Sequence, residues 1–281
     1  MPFKVFCGFV FVDRNHCKMI TSVEELRSTL LVWYTLLYGL GKISLTIENI
    51  FHLSLYRGAR SIMMKQKIYA MVKKSGKGVP MSLNAVLAEE FNDNNPMPDM
   101  NYEWTISHGT EKVRFPEHLF LVCKEKILSF DFYADFDGYI VSDDFLRIFL
   151  KYMLIDDYQM IPLETLSWKG TQITDKKYHY LVPNKKETWI DYNHSKYDVD
   201  EGKTKEQVIS RDGAFVRKFE EIILKESEVD KEVFVLKGSL LTRFLFCSEI
   251  FKNEIEKEHL VGVDFIPIEE LPAYYNKKYF L

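Results

Sequence analysis

Two stretches of this chain carry one arrangement of residues about a hundred positions apart: VSDDFLRIFLKYMLIDDYQMIPLETL from Val141 to Leu166, and CSEIFKNEIEKEHLVGVDFIPIEEL from Cys247 to Leu271. Ser142 matches Ser248, Phe145 matches Phe251, Leu154 matches Leu260, Pro162 matches Pro267 and Leu166 matches Leu271. Each serine is followed at once by acids, Asp143 and Asp144 or Glu249. That pattern predicts a helix N-terminus, because the hydroxyl accepts from an orphan backbone N–H and the acids complement the positive end of the helix dipole. Phe145, Ile148, Phe149, Tyr152 and Met153 then recur at helical spacing, Phe251 and Ile255 lie four apart, and Gly262 offers a left-handed stop. Each unit closes on Ile-Pro, an extended dipeptide expected at a strand end. The chain is therefore expected to contain two Ser-capped helix-to-strand units, by internal duplication or by convergence on one local solution.

Strands should surround these units. Gln66–Lys73, His118–Lys124, Ile127–Tyr133, Tyr158–Leu163, Tyr178–Val182 and Val233–Lys237 are rich in β-branched and aromatic residues and bounded by turn-formers. Ala214–Lys225 fits helix or strand equally. The expected class is α+β: a mixed or mostly antiparallel sheet with a few packed helices. At 281 residues, 47% of them hydrophobic, the chain can bury a substantial core as one large domain or two modest ones.

Residues 1–62 differ from the rest. They hold seven Lys/Arg against four acids, a balance of +3, which leaves −7 for the remainder. The apolar run Leu30–Ile47 approaches membrane-spanning length but is broken by Gly39, Gly41 and Lys42, so it is read as a buried helix rather than a stable membrane insertion. It also begins too late for a signal peptide. Met63-Met64 follows Arg60-Ser61, codons for which can form a purine-rich ribosome-binding tract. The expected division is thus 1–62 as a mis-annotated or poorly specified extension and 63–281 as the domain proper. Cys7, Cys17, Cys123 and Cys247 form no CxxC pair, a usage that fits a reducing cytoplasm better than a disulfide framework or zinc site.

Catalytic signatures are sparse. Asp131, Asp135, Asp137, Asp143 and Asp144 make the densest acidic segment. Laid on a calcium loop with Gly138 at the sixth place, Tyr133 falls where the first carboxylate belongs and Asp144 replaces the long bidentate Glu, so no metal is expected. The seven histidines form no metal-ligand or nucleophile motif, and Ser75–Pro80 (SGKGVP) lacks phosphate-loop spacing and reads as a turn. No cofactor is expected. The enzymatic alternative is a small-molecule enzyme using the Asp131–Asp144 carboxylates, which requires two of them to converge in a cleft.

The run from Met64 through VKKSGKGVPMSLNAVLAEEF, with YEW at 102–104, RFPEHLFLV at 114–122, DFYADFDGYIVSDDF at 131–145, KYHYLVP at 177–183, WIDYNHSKY at 189–197, CSEIFK and VGVDFIP, resembles the immunity protein 43 family of bacterial polymorphic toxin systems. The resemblance spans nearly all of 64–281. It implies a cytoplasmic antidote that binds and neutralises the C-terminal effector domain of a cognate secreted toxin, and it implies a binder rather than an enzyme. The acidic balance of the larger part favours a basic toxin and disfavours nucleic acid. Candidate contact residues are Asp135, Asp137, Asp156, Asp157, Tyr102, Trp104 and Trp189, with the charged loop Asp198–Lys205.

Overall fold

The computed structural model describes residues 9–13, 16–19, 66–99, 102, 104, 115–134, 138–238 and 240–279. The chain divides into two units, Met1–Lys65 and Gln66–Leu281. In the first, strands β1 (Phe9–Asp13) and β2 (His16–Met19) pair as an antiparallel hairpin. The run Leu30–Ile47 lies outside the described residues.

The second unit runs β3 (Ile68–Lys73), β4 (Ala85–Ala88), β5 (Leu119–Cys123), β6 (Phe132–Tyr133), β7 (Tyr139–Ser142), helix α1 (Asp143–Phe149), β8 (Tyr158–Ser167) and β9 (Tyr178–Pro183). It continues through β10 (Lys196–Val199), α2 (Lys205–Ser210), β11 (Val216–Glu221), β12 (Val233–Phe234), β13 (Leu245–Ser248), α3 (Glu249–Lys257), β14 (Val263–Pro267) and α4 (Leu271–Tyr279). A six-stranded sheet has the order β4-β5-β8-β9-β7-β6 and a four-stranded sheet the order β12-β13-β3-β14, with β10 and β11 pairing separately. Among the described residues all ladders are antiparallel except β5 with β8. The fold is α+β.

The two matched stretches occupy equivalent places in the two sheets. Strands β6-β7-β9-β8 correspond to β12-β13-β3-β14, and the registers agree. The residue before each serine pairs with the first residue of the short edge strand, Val141 with Phe132 and Cys247 with Val233. Each serine pairs with the first residue of the next strand in, Ser142 with Tyr178 and Ser248 with Ile68. The residue after that partner pairs with the proline of the repeat, His179 with Pro162 and Tyr69 with Pro267. Only chain order differs: β9 follows its unit, whereas β3 precedes its unit by most of the chain. The halves are related by a circular permutation.

Helices α1 and α3 pack on each other, and the equivalent rings of Phe145 and Phe251 meet edge to face at 6.0 Å. Met71, Val141, Leu181, Leu245 and Cys247 join them in a core drawn from both sheets. A second core lies under Leu119, Leu121, Phe130 and Tyr180, and a third joins β3 and β13 to β11 and α4 through Ala70, Phe246, Phe219 and Leu271.

Several expected boundaries move for physical reasons. Ile127–Tyr133 is strand only at Phe132–Tyr133, because the backbone N–H groups of Leu128, Ser129 and Asp131 donate to three separate loops at Ile173, Gly78 and Val261. Strand β8 runs on to Ser167, since β5 pairs with it from Leu163 onward. Pro162 therefore sits inside a strand rather than at its end. It is tolerated there because the β5 ladder has not yet begun, which leaves that side unpaired. The open segment Ala214–Lys225 resolves as β11, and Val233–Lys237 shortens to β12. Helix α3 stops before Gly262: His259 takes the left-handed conformation (φ 53°). Gly262 (φ 90°) instead permits close approach, since a Cβ there would lie 2.8 Å from Phe130 Cβ.

Candidate interaction surface

Both serines are buried caps, and both do more than cap. Ser142 Oγ accepts from Phe145 N at 3.2 Å and donates to Asp131 Oδ1 at 2.6 Å. Ser248 Oγ accepts from Phe251 N at 3.3 Å and donates to the Glu232 carboxylate. The serine N–H groups donate to the carbonyls of the same acids, at 3.0 and 2.9 Å. Asp131, 2% exposed, also receives Lys176 Nζ at 2.5 Å and Val261 N at 2.7 Å, and so ties the first helix cap to the loop that leaves the second helix.

The acidic segment is thereby dispersed. Asp131 lies beneath the cap, while Asp143 and Asp144 stand exposed in the first helical turn, where they meet His179 and Arg147. Among the described residues no three His, Cys, Asp or Glu side chains form a metal-binding group. Cys123 and Cys247 are buried free thiols, and burial pushes both pKa values up, which suppresses thiolate chemistry.

The candidate contact residues meet different fates. Asp135 and Asp137 lie outside the described residues. Asp156 is exposed in the turn before β8. Its neighbour Asp157 turns inward to Lys231 Nζ at 2.5 Å, and Glu187 Oε1 meets the same ammonium at 2.5 Å. Burial lowers the Lys231 pKa, yet the hydrogen bonds and charges of the two acids outweigh it, so the net shift is upward. Trp104 is buried, stacked on Tyr102 at 5.2 Å and donating to Glu89 Oε1. Trp189 packs on Phe234 in the core. The loop 198–205 ends in the capping box of α2, built on Thr204 and Gln207.

A different set of side chains gathers where β5 and β8 end. Three loops, 74–84, 124–131 and 168–177, emerge there and are bonded together: Ser129 N to Gly78 O, Leu128 N to Ile173 O, Lys124 N to Asn84 O, and Trp168 N to Cys123 O. They leave a groove of about 660 Å³ between Lys126–Ser129 and Gln172–Lys176. Met81 (77% exposed), Ile127 (66%) and Trp168 (49%) stand out of these loops. Sequence reasoning missed this surface because its parts lie about fifty residues apart. Its signal was the recurrence of lysine beside turns, in KKSGK, KEK and DKK.

These features define an α+β domain of two permuted halves with a lysine-bearing loop end. Residues 71–281 match the family model described as Immunity protein 43, and the chain belongs to that family. Comparison with the curated proteins found no match. No helix of the described residues is long and apolar enough to cross a membrane.

Proposed function

We propose that this protein is the antidote of a toxin–immunity pair: in the cytoplasm of the producing cell it binds the C-terminal effector domain of a cognate secreted toxin and blocks it by occupancy. The observation that carries this reading is the family match, which takes in both halves of the permuted fold. The placement of Asp131 supports it, since that carboxylate is buried beneath the helix cap and engaged by Ser142, Lys176 and Val261, out of a substrate's reach. Of the acids read from sequence, Asp156 has the exposure a contact requires, and Asp135 and Asp137 stand with it as candidates.

The test is direct. Expressed in a cell that makes the effector domain encoded beside its gene, the protein should restore growth, and the purified pair should form a complex without consuming any small molecule. A folded protein that neither binds nor protects would defeat the reading. Asp156→Lys, and Asp135→Lys with Asp137→Lys, show whether these acids touch the toxin, because reversal of a contact charge slows association.

A further inference from the structure

We infer that the toxin-contacting surface is the lysine-bearing loop end, and that it receives an acidic segment of the effector domain in the groove between Lys126–Ser129 and Gln172–Lys176. This rests on the immunity reading and adds to it a place and a partner chemistry.

Charge is the first argument. The protein as a whole carries −4, yet the three loops hold seven lysines against three acids. One of those acids, Asp131, is neutralised by Lys176, while Glu125 accepts only the uncharged backbone N–H of Asn84 and keeps its charge. Asp175, in the groove wall, has no such partner among the described residues. On the cationic side Lys77, Lys124, Lys126 and Lys177 are all exposed and make no ion pair there. Fields at a surface are local, because the screening length is about 8–10 Å at cellular ionic strength. A partner docking on this end therefore meets an excess of lysine over acid, whatever the net charge of the molecule.

Apolar exposure is the second argument. Met81, Ile127 and Trp168 project from the same loops, so the lysines are interleaved with side chains that gain by leaving water. Of the three, Trp168 is the one with a ring face to stack a base, and Lys169 Nζ already lies over that ring at 5.2 Å, so the loops lack the succession of aromatic platforms that a single-stranded nucleic acid uses. An acidic protein segment with apolar side chains satisfies both demands. The groove walls are bonded to each other by Leu128 N to Ile173 O, so the surface is largely preformed.

The experiment uses the full-length protein and the effector domain encoded beside its gene. Lys77→Glu, Lys126→Glu and Lys177→Glu together should slow association about tenfold or more at low salt and flatten its salt dependence. Lys186→Glu with Lys257→Glu, reversals of the same sign elsewhere, should change neither. The urea midpoint of the triple variant should stay at the wild-type value, since none of its three lysines is ion-paired among the described residues, whereas the control should fall slightly because Lys257→Glu places an acid in the last turn of α3. Absence of wild-type binding overturns the immunity reading and this inference with it. Wild-type binding with an undisturbed triple variant overturns the inference alone, as does a loss confined to Asp156→Lys. A single-stranded oligonucleotide and vesicles of anionic phosphatidylglycerol serve as rival ligands, and either one engaging these lysines as tightly as the effector domain overturns it.

Discussion

Ser142 and Ser248 each hold a helix start and a buried carboxylate with one hydroxyl. Ser142→Ala and Ser248→Ala should each cost about 2–4 kcal/mol, a lost cap together with a lost hydrogen bond to a buried acid. Thr204→Ala, which removes the exposed cap of α2, should cost about 1 kcal/mol or less in the same urea titrations. The caps were legible, since a serine before acids and a helical face admits few other readings. Their carboxylates were not, because one is an Asp 11 residues upstream and the other a Glu 16 residues upstream, and only folding brings them alike to the hydroxyl. Lys231 sets a second test. Lys231→Met leaves Asp157 without its counter-charge and Glu187 with only the exposed Lys185 ammonium at 3.2 Å, and should cost about 3 kcal/mol in urea unfolding near neutral pH. Its pKa is raised on folding, so its contribution is whole below the ordinary value of 10.5 and fades as pH climbs through the raised one. Alkali should therefore narrow the difference between wild type and variant.

At the scale of elements, the contact of α1 with α3 is the join between halves. Phe251 touches the rings of Phe145, Phe149 and Tyr152. Phe251→Ala should cost about 3–5 kcal/mol. A double-mutant cycle with Phe145→Ala should return a coupling of about 0.5–1.5 kcal/mol, and additive losses would show that the rings do not act as a pair. The helices and most strands could be read from periodicity and punctuation. The segment at Leu128–Asp131 could not, because its aromatic and β-branched composition fits a strand while its hydrogen-bond partners are loops from elsewhere in the chain. For the same reason Pro162 was misplaced at a strand end: nothing local announces which neighbour a strand has at each residue.

At the scale of the whole molecule, residues 66–281 hold every paired strand of the two larger sheets. A protein beginning at Met64 should unfold cooperatively at the urea midpoint of the full chain, and aggregation on truncation would show that the first 62 residues complete the core. The repeat in sequence foretold two units but not their permuted order, since the fourth strand of the second unit carries no mark of its membership. That order has a consequence for synthesis. Strand β3 leaves the ribosome long before both of its partners, β13 and β14. At the usual 5–20 residues per second the strand waits about 10–40 s for them. The first half, whose strands β6 to β9 are contiguous, has everything it needs long before. Until β13 and β14 emerge, the apolar IYAMV of β3 has no sheet to join, so a chain that stalls or is cut short before Leu245 keeps a sticky, unpaired strand exposed.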